Sequence, residues 1–139
     1  MGGTVSIDVR KAVLGCATVL AEHKGGQTIV LDLEKLSTWT DFFIVTSATS
    51  STHLRGLARQ AEEYLASQGF SPLRKPRIAE DEAWCLIDFG DFVVHIMGAE
   101  ARAFYELEKL WYGAVTIPVE APTAPAAQVS QADARGTTD

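Results

Sequence analysis

Apolar positions along this chain recur with two different periods, and the switches between them mark out seven elements. Val13, Cys16, Ala17, Leu20 and Ala21 fall at helical spacing and form one apolar stripe, which predicts a first helix over residues 7–24. Gly25-Gly26 stops it, with Lys24 suitably placed at the negative helix end. Residues 28–32 and 42–47 are short runs rich in β-branched and aromatic side chains. Their apolar character is almost continuous, so they predict central strands with both faces at least partly covered. Ser50, Ser51 and Thr52 offer N-caps for a second helix, whose buried stripe is Leu54, Leu57, Ala58, Ala61 and Leu65 and which Gly69 closes. A Pro-containing loop follows over residues 71–81. Residues 84–88 and 91–97 flank Phe89-Gly90 and predict a tight β-hairpin. Residues 100–112 predict a third helix, with Phe104, Leu107 and Trp111 on one side and Gly113 at its end.

The order α-β-β-α-β-β-α predicts an α/β (α+β) domain, a mixed β-sheet with flanking helices. That domain is expected to occupy residues 1–117. Past Ile117 the chain turns to Ala, Pro, Gln, Ser and Thr without a single aromatic. Such a segment cannot offset its ordering entropy, so residues 118–139 are expected to be a disordered Pro/Ala-rich C-terminal tail.

Composition changes the picture mainly through charge. Twelve Lys and Arg face eighteen Asp and Glu, a formal net charge of −6 at pH 7. Nucleic acid phosphates repel such a chain, so on a nucleoprotein particle its main contact should be a basic protein. The first twenty residues lack the charged start and apolar core of a signal peptide, and no apolar run approaches the ~20 residues that span a bilayer. The expectation is a cytoplasmic protein without a membrane partner.

Candidate chemistry is sparse. Cys16 and Cys85 form no C-x-x-C pair, and His23, His53 and His95 show no ligand spacing, so neither metal nor cofactor is expected. Asp88-Phe89-Gly90 matches the kinase magnesium motif in letters. The Gly-rich loop, strand lysine and catalytic loop of a kinase are missing, and turn chemistry explains the three residues. Asp32, Asp41, Asp88 and Asp91 are candidates for a metal-binding carboxylate group, but no Gly-Ser element precedes an Asp-x-Asp pair to hold a nucleoside triphosphate. His95 alternates with Val94 and Ile96 and therefore faces away from them. Arg74-Lys75-Pro76-Arg77 is the one concentrated stretch of positive charge, a candidate for minor contact with ribosomal RNA phosphates. Aromatic residues crowd the hairpin and last helix, and those the core does not absorb are typical interface anchors.

Three ordered blocks carry a family resemblance. They are Thr40-Asp41-Phe42-Phe43-Ile44-Val45-Thr46-Ser47, the run Trp84-x-Leu86-Ile87-Asp88-Phe89-Gly90-Asp91-x-Val93-Val94-His95-Ile96, and Glu100-x-Arg102-x-Phe104-Tyr105-x-Leu107-Glu108-x-Leu110-Trp111. Together they resemble the Iojap, or ribosomal silencing factor, family over about residues 7–115. The chain departs from the pattern at Ala48-Thr49-Ser50, where a glycine is more usual, and at Phe89, where tyrosine is common. The resemblance implies a fold related to nucleotidyltransferases without their catalytic carboxylates, and so no enzyme. It also implies binding to the large ribosomal subunit through large-subunit ribosomal protein fourteen on the inter-subunit face, repression of translation, and a homodimer when free. Carried over position by position, the partner-binding residues are Trp84, Leu86, Asp88, Phe89, Asp91, His95, Arg102 and Tyr105. A small nucleotide-handling enzyme of the same fold is the alternative. Convergent carboxylates beside a phosphate-cradling loop would favour it.

Overall fold

The computed structural model describes residues 2–37, 39–110 and 114–119. The elements in chain order are α1 (Gly2–Glu22), β1 (Gly26–Asp32), β2 (Phe42–Ala48), α2 (Ser51–Ser67), β3 (Arg77–Ile78), β4 (Trp84–Asp88), β5 (Phe92–Gly98), α3 (Ala99–Tyr105), α4 (Leu107–Leu110) and β6 (Val115–Pro118). The six strands form one sheet in the order β3-β4-β5-β2-β1-β6. β2 and β5 run parallel at its centre, and the other neighbours are antiparallel, so the sheet is mixed as expected.

The sheet has two covered faces, which is why β2 and β5 read as unbroken apolar runs. On one face α1 and α2 pack Val13, Cys16, Leu20, Leu54, Leu57, Ala61 and Leu65 against Val30, Ile44, Phe92, Val94 and Ile96. Four of the five stripe residues expected on the first helix are buried, and Ala21 is only half-buried. The α1–α2 crossing is close at Gly15, where a Cβ would lie 2.0 Å from the Tyr64 hydroxyl oxygen. The second face holds Leu31, Phe43, Val45, Val93 and Met97 under Leu107.

Local chemistry sets the boundaries. The chain leaves α1 through Lys24 in the left-handed region (φ 70°), with the Gly25 N–H donating to the Leu20 carbonyl at 2.8 Å. Gly25 is needed for room, since a Cβ there would meet Thr46 Oγ1 at 2.3 Å and the Leu20 carbonyl oxygen at 2.8 Å. Ser50 caps α2 by accepting the His53 N–H at 3.0 Å. The hairpin turn is built as the residues suggest. The Asp88 side chain accepts the Gly90 N–H at 2.8 Å, and Gly90 takes φ 89°.

Three expectations need correction. The loop over 71–81 contains β3, which closes one edge of the sheet. A further strand, β6, closes the other edge by pairing with β1 from Ile29↔Pro118 to Asp32↔Val115. Its proline is tolerated because it sits on an edge strand. Strand pairing therefore reaches Pro118, and Val119 packs against the helix-side core. The third helix is also not continuous. Glu106 adopts φ 47°, its N–H closing the last turn of α3 onto the Arg102 carbonyl at 2.9 Å, and the chain restarts as α4. Because of this break Phe104 is 79% exposed while Leu107 is buried, so the two do not share the expected stripe. Trp111 and Tyr112, and the tail beyond Val119, lie outside the described residues.

Candidate functional site

The second face of the sheet carries a row of six rings. It begins at Trp39 in the β1–β2 connection, which meets Phe43 edge-on at 5.9 Å between centroids. Phe43 meets the His95 imidazole at 4.4 Å, and His95 lies 5.9 Å from Trp84. Trp84 packs on Tyr105 at 4.8 Å, and Tyr105 on Phe104 at 4.9 Å. The strand register explains the row. Parallel pairing sets Val45 beside His95, so Phe43 and His95 share a face two residues apart. Antiparallel pairing of β4 with β5 sets Leu86 opposite His95 and Trp84 one diagonal step away. Phe43 and His95 are buried and Trp84 is half-buried, while the two ends are open to solvent, with Trp39 59% and Phe104 79% exposed. Beside Trp84, a shallow, largely apolar depression of about 310 Å³ is lined by Arg77, Ile78, Ala79, Trp84 and Leu86.

The same registers gather acidic residues at one end of the sheet. β1 and β4 end in Asp32 and Asp88, while β2 and β5 are preceded by Asp41 and Asp91. The Asp41 N–H donates to the Asp91 carbonyl at 2.8 Å, tying two of these ends together. Glu34 follows β1, and its N–H donates to Asp32 at 3.0 Å. Desolvation, and then the charges of Asp32 and Asp41, raise the Glu34 carboxyl above its ordinary range. Arg10 answers them locally, pairing with Asp32 at 3.3 Å. Among the described residues no three His, Cys, Asp or Glu side chains gather as metal ligands would.

The eight residues carried over from the family pattern separate into three groups. Trp84, Leu86 and Tyr105 lie on the aromatic face, and Asp88 and Asp91 lie at its acidic end. His95 and Arg102 are on the same side but buried. The Arg102 guanidinium donates to the Gly26 carbonyl at 3.0 Å and to Ser47 Oγ at 2.9 Å, fastening α3 to the ends of β1 and β2. Phe89 belongs elsewhere. It is 7% exposed, stacks on Phe92 at 4.8 Å and joins the core under α1 and α2. Phe89, expected as a partner anchor, is a core residue in this structure and not part of the exposed face: at the hairpin turn its ring folds back onto Phe92 on the helix side. Sequence reasoning missed Trp39. An isolated tryptophan amid Ser, Thr and Asp was the available signal.

A second concavity, about 570 Å³, opens where β2 and β5 end and α2 begins, between Lys24, Ser50, Ser51, Asp81, Glu82 and Glu100. Two of its hydroxyls are already engaged: Ser50 caps α2, and Thr49 Oγ1 lies 3.2 Å from His53 Nδ1. Neither cysteine offers a nucleophile. Burial pushes the Cys16 thiol up to about 12 and the Cys85 thiol up to about 11.

The family model described as "Ribosomal silencing factor during starvation" matches residues 6–139. The chain belongs to the ribosomal silencing factor family. The match takes in the last residues, beyond the stretch over which the three blocks suggested it. Ribosomal silencing factor RsfS of Halalkalibacterium halodurans is 32% identical over 99 residues, covering 71% of this chain and 84% of that one. Mitochondrial assembly of ribosomal large subunit protein 1 of Mus musculus is 30% identical over 97 residues, covering 68% of this chain and 42% of the mouse protein. A crystal structure of a Chromobacterium violaceum protein superposes with a TM-score of 0.66 at 30% identity, over 76% of this chain and 84% of that one. Ribosomal silencing factors are ribosome-associated regulators of translation, and this chain shares its mixed α/β fold with the Chromobacterium violaceum structure.

Proposed function

We propose that this chain represses translation by binding the large ribosomal subunit through ribosomal protein fourteen of the inter-subunit face. Docked there, it excludes the small subunit by occupying space, as a binder and not as an enzyme. The observation that carries the reading is the aromatic row, exposed at both ends and adjoining an acidic sheet end. Exposed tryptophan and tyrosine are preferred interface anchors, and a carboxylate border complements a basic ribosomal protein. Family membership and the mouse relative's name, which speaks of large-subunit assembly, support the large ribosomal subunit as the particle it meets. Trp84, Leu86 and Tyr105 are the contact residues in this reading, joined by Trp39 and Phe104, with Asp88 and Asp91 at the rim. His95 and Arg102 act from beneath. Arg74, Lys75 and Arg77 are exposed along the β3 edge and supply a minor contact to ribosomal RNA phosphates. The reading places the protein in the cytoplasm and makes the free chain a homodimer.

Purified subunits test it directly. The protein should co-sediment with large subunits and lower the yield of joined ribosomes in proportion to its occupancy. Excess small subunit should restore joining, since each partner excludes the other by mass action. Stable attachment to joined ribosomes, or a block that persists after the protein is washed away, would defeat the proposal.

A further inference from the structure

His95 stands in the middle of the aromatic row and touches no solvent to speak of, being 4% exposed. Its Nδ1 accepts the indole N–H of Trp84 at 3.1 Å. An imidazole that accepts at Nδ1 is neutral and carries its proton on Nε2. Burial favours that neutral form. The Nε2 atom is buried and has no hydrogen-bond partner among the described residues. A buried donor left without an acceptor is destabilising, and a leucine at this place in the strand would avoid it. Leucine would also leave the Trp84 N–H without an acceptor. The pair thus trades stability for a direction. Phe43 closes on the imidazole at 4.4 Å from one side, and Tyr105 holds the far side of the indole.

We infer that His95 is a positioning residue of the docking surface: through its bond to the Trp84 indole it fixes the ring in the orientation that meets the partner. The inference rests on the docking reading above and deepens it. His95 makes no contact of its own with the partner; it acts through Trp84. The indole N–H is the atom through which His95 sets the ring, so Trp84 without that N–H should be indifferent to the loss of His95.

The experiment combines binding to purified large ribosomal subunits with two-dimensional NMR of the tryptophan indole N–H groups, the Trp84 peak being assigned with Trp84→Phe. His95→Leu should shift the Trp84 indole peak, speed its hydrogen exchange, and weaken binding about tenfold, the scale of one lost partly buried hydrogen bond. His95→Asn can place its amide oxygen near the position of Nδ1, and should restore both the peak and most of the affinity. The double variant with Trp84→Phe should bind no worse than Trp84→Phe alone, because without the indole N–H there is no bond left for His95→Leu to remove. Wild-type affinity in folded His95→Leu would overturn the inference and leave the docking reading standing. Additive losses in the double variant would do the same. If His95→Leu does not fold, replacing the Trp84 indole by benzothiophene, which keeps the ring shape and lacks the N–H, reads the same bond from its donor side: a loss of similar size supports the inference and full affinity overturns it. Failure of the wild-type protein to bind large subunits would overturn the docking reading, and this inference with it.

Discussion

Truncating Phe89 separates a core residue from a docking residue within one hairpin. The ring is almost fully enclosed and stacks on Phe92 with an interplanar angle of 12°. Phe→Ala in a core removes about 3–5 kcal/mol through lost transfer energy and the cavity left behind. Phe89 lies at a strand end, where neighbours can close part of the space, so the expected loss is about 3 kcal/mol. With a urea m-value of about 2 kcal/mol/M, the unfolding midpoint should fall by about 1.5 M at constant m. Tyr105→Ala is the matched control. Its ring is half exposed, so its stability cost should stay below about 1 kcal/mol. Binding should sort the other way, with folded Phe89→Ala keeping its affinity for large subunits and Tyr105→Ala losing at least about tenfold. A stability loss under about 1 kcal/mol for Phe89→Ala, together with lost binding, would refute the assignment of Phe89 to the helix-side core.

Arg102→Met keeps the aliphatic stem but leaves the Gly26 carbonyl and Ser47 hydroxyl without their donor, and should lower stability by about 1–3 kcal/mol in urea titrations. A neutral effect would show that solvent replaces the guanidinium there. His95 also gives stability a pH dependence: burial lowers its pKa from the usual 6.5 to about 4. Below 6.5 the unfolded chain takes up a proton that the folded chain refuses until about pH 4. This contribution is therefore complete above 6.5 and is lost as pH falls from 6.5 towards 4, at up to about 1.4 kcal/mol per pH unit. Urea midpoints should fall less steeply over that window in His95→Leu, and parallel profiles would contradict the burial argument. Ser50→Ala removes the cap that accepts the His53 N–H and should cost about 1 kcal/mol, read as a lower melting temperature. An unchanged melting temperature would mean water replaces the cap.

What the sequence determined by itself was whatever depends on near neighbours along the chain. Helical spacing of Leu54, Leu57, Ala58, Ala61 and Leu65 gave α2 and its buried side, because residues three and four apart must share a helix face. Alternation put His95 opposite Val94 and Ile96, and Asp88 and Gly90 specified their own turn. The three blocks identified the family from residue order alone. Tertiary structure decided what depends on distant partners. Two-residue β3 and four-residue β6 are too short to signal themselves and exist because β4 and β1 offer free edges to pair with. The break at Glu106 escapes helical periodicity, which would have carried Phe104 and Leu107 onto one side. Phe89 and Trp84 flank the same hairpin and look alike as aromatic anchors. Only the packing of Phe89 on Phe92, under α1 and α2, sends the one into the core and leaves the other beside Tyr105 on the open face. The candidate surface is legible in part for the same reason. Its residues were named from the sequence, but which of them meet solvent is fixed by strand register and by how the helices cover the sheet.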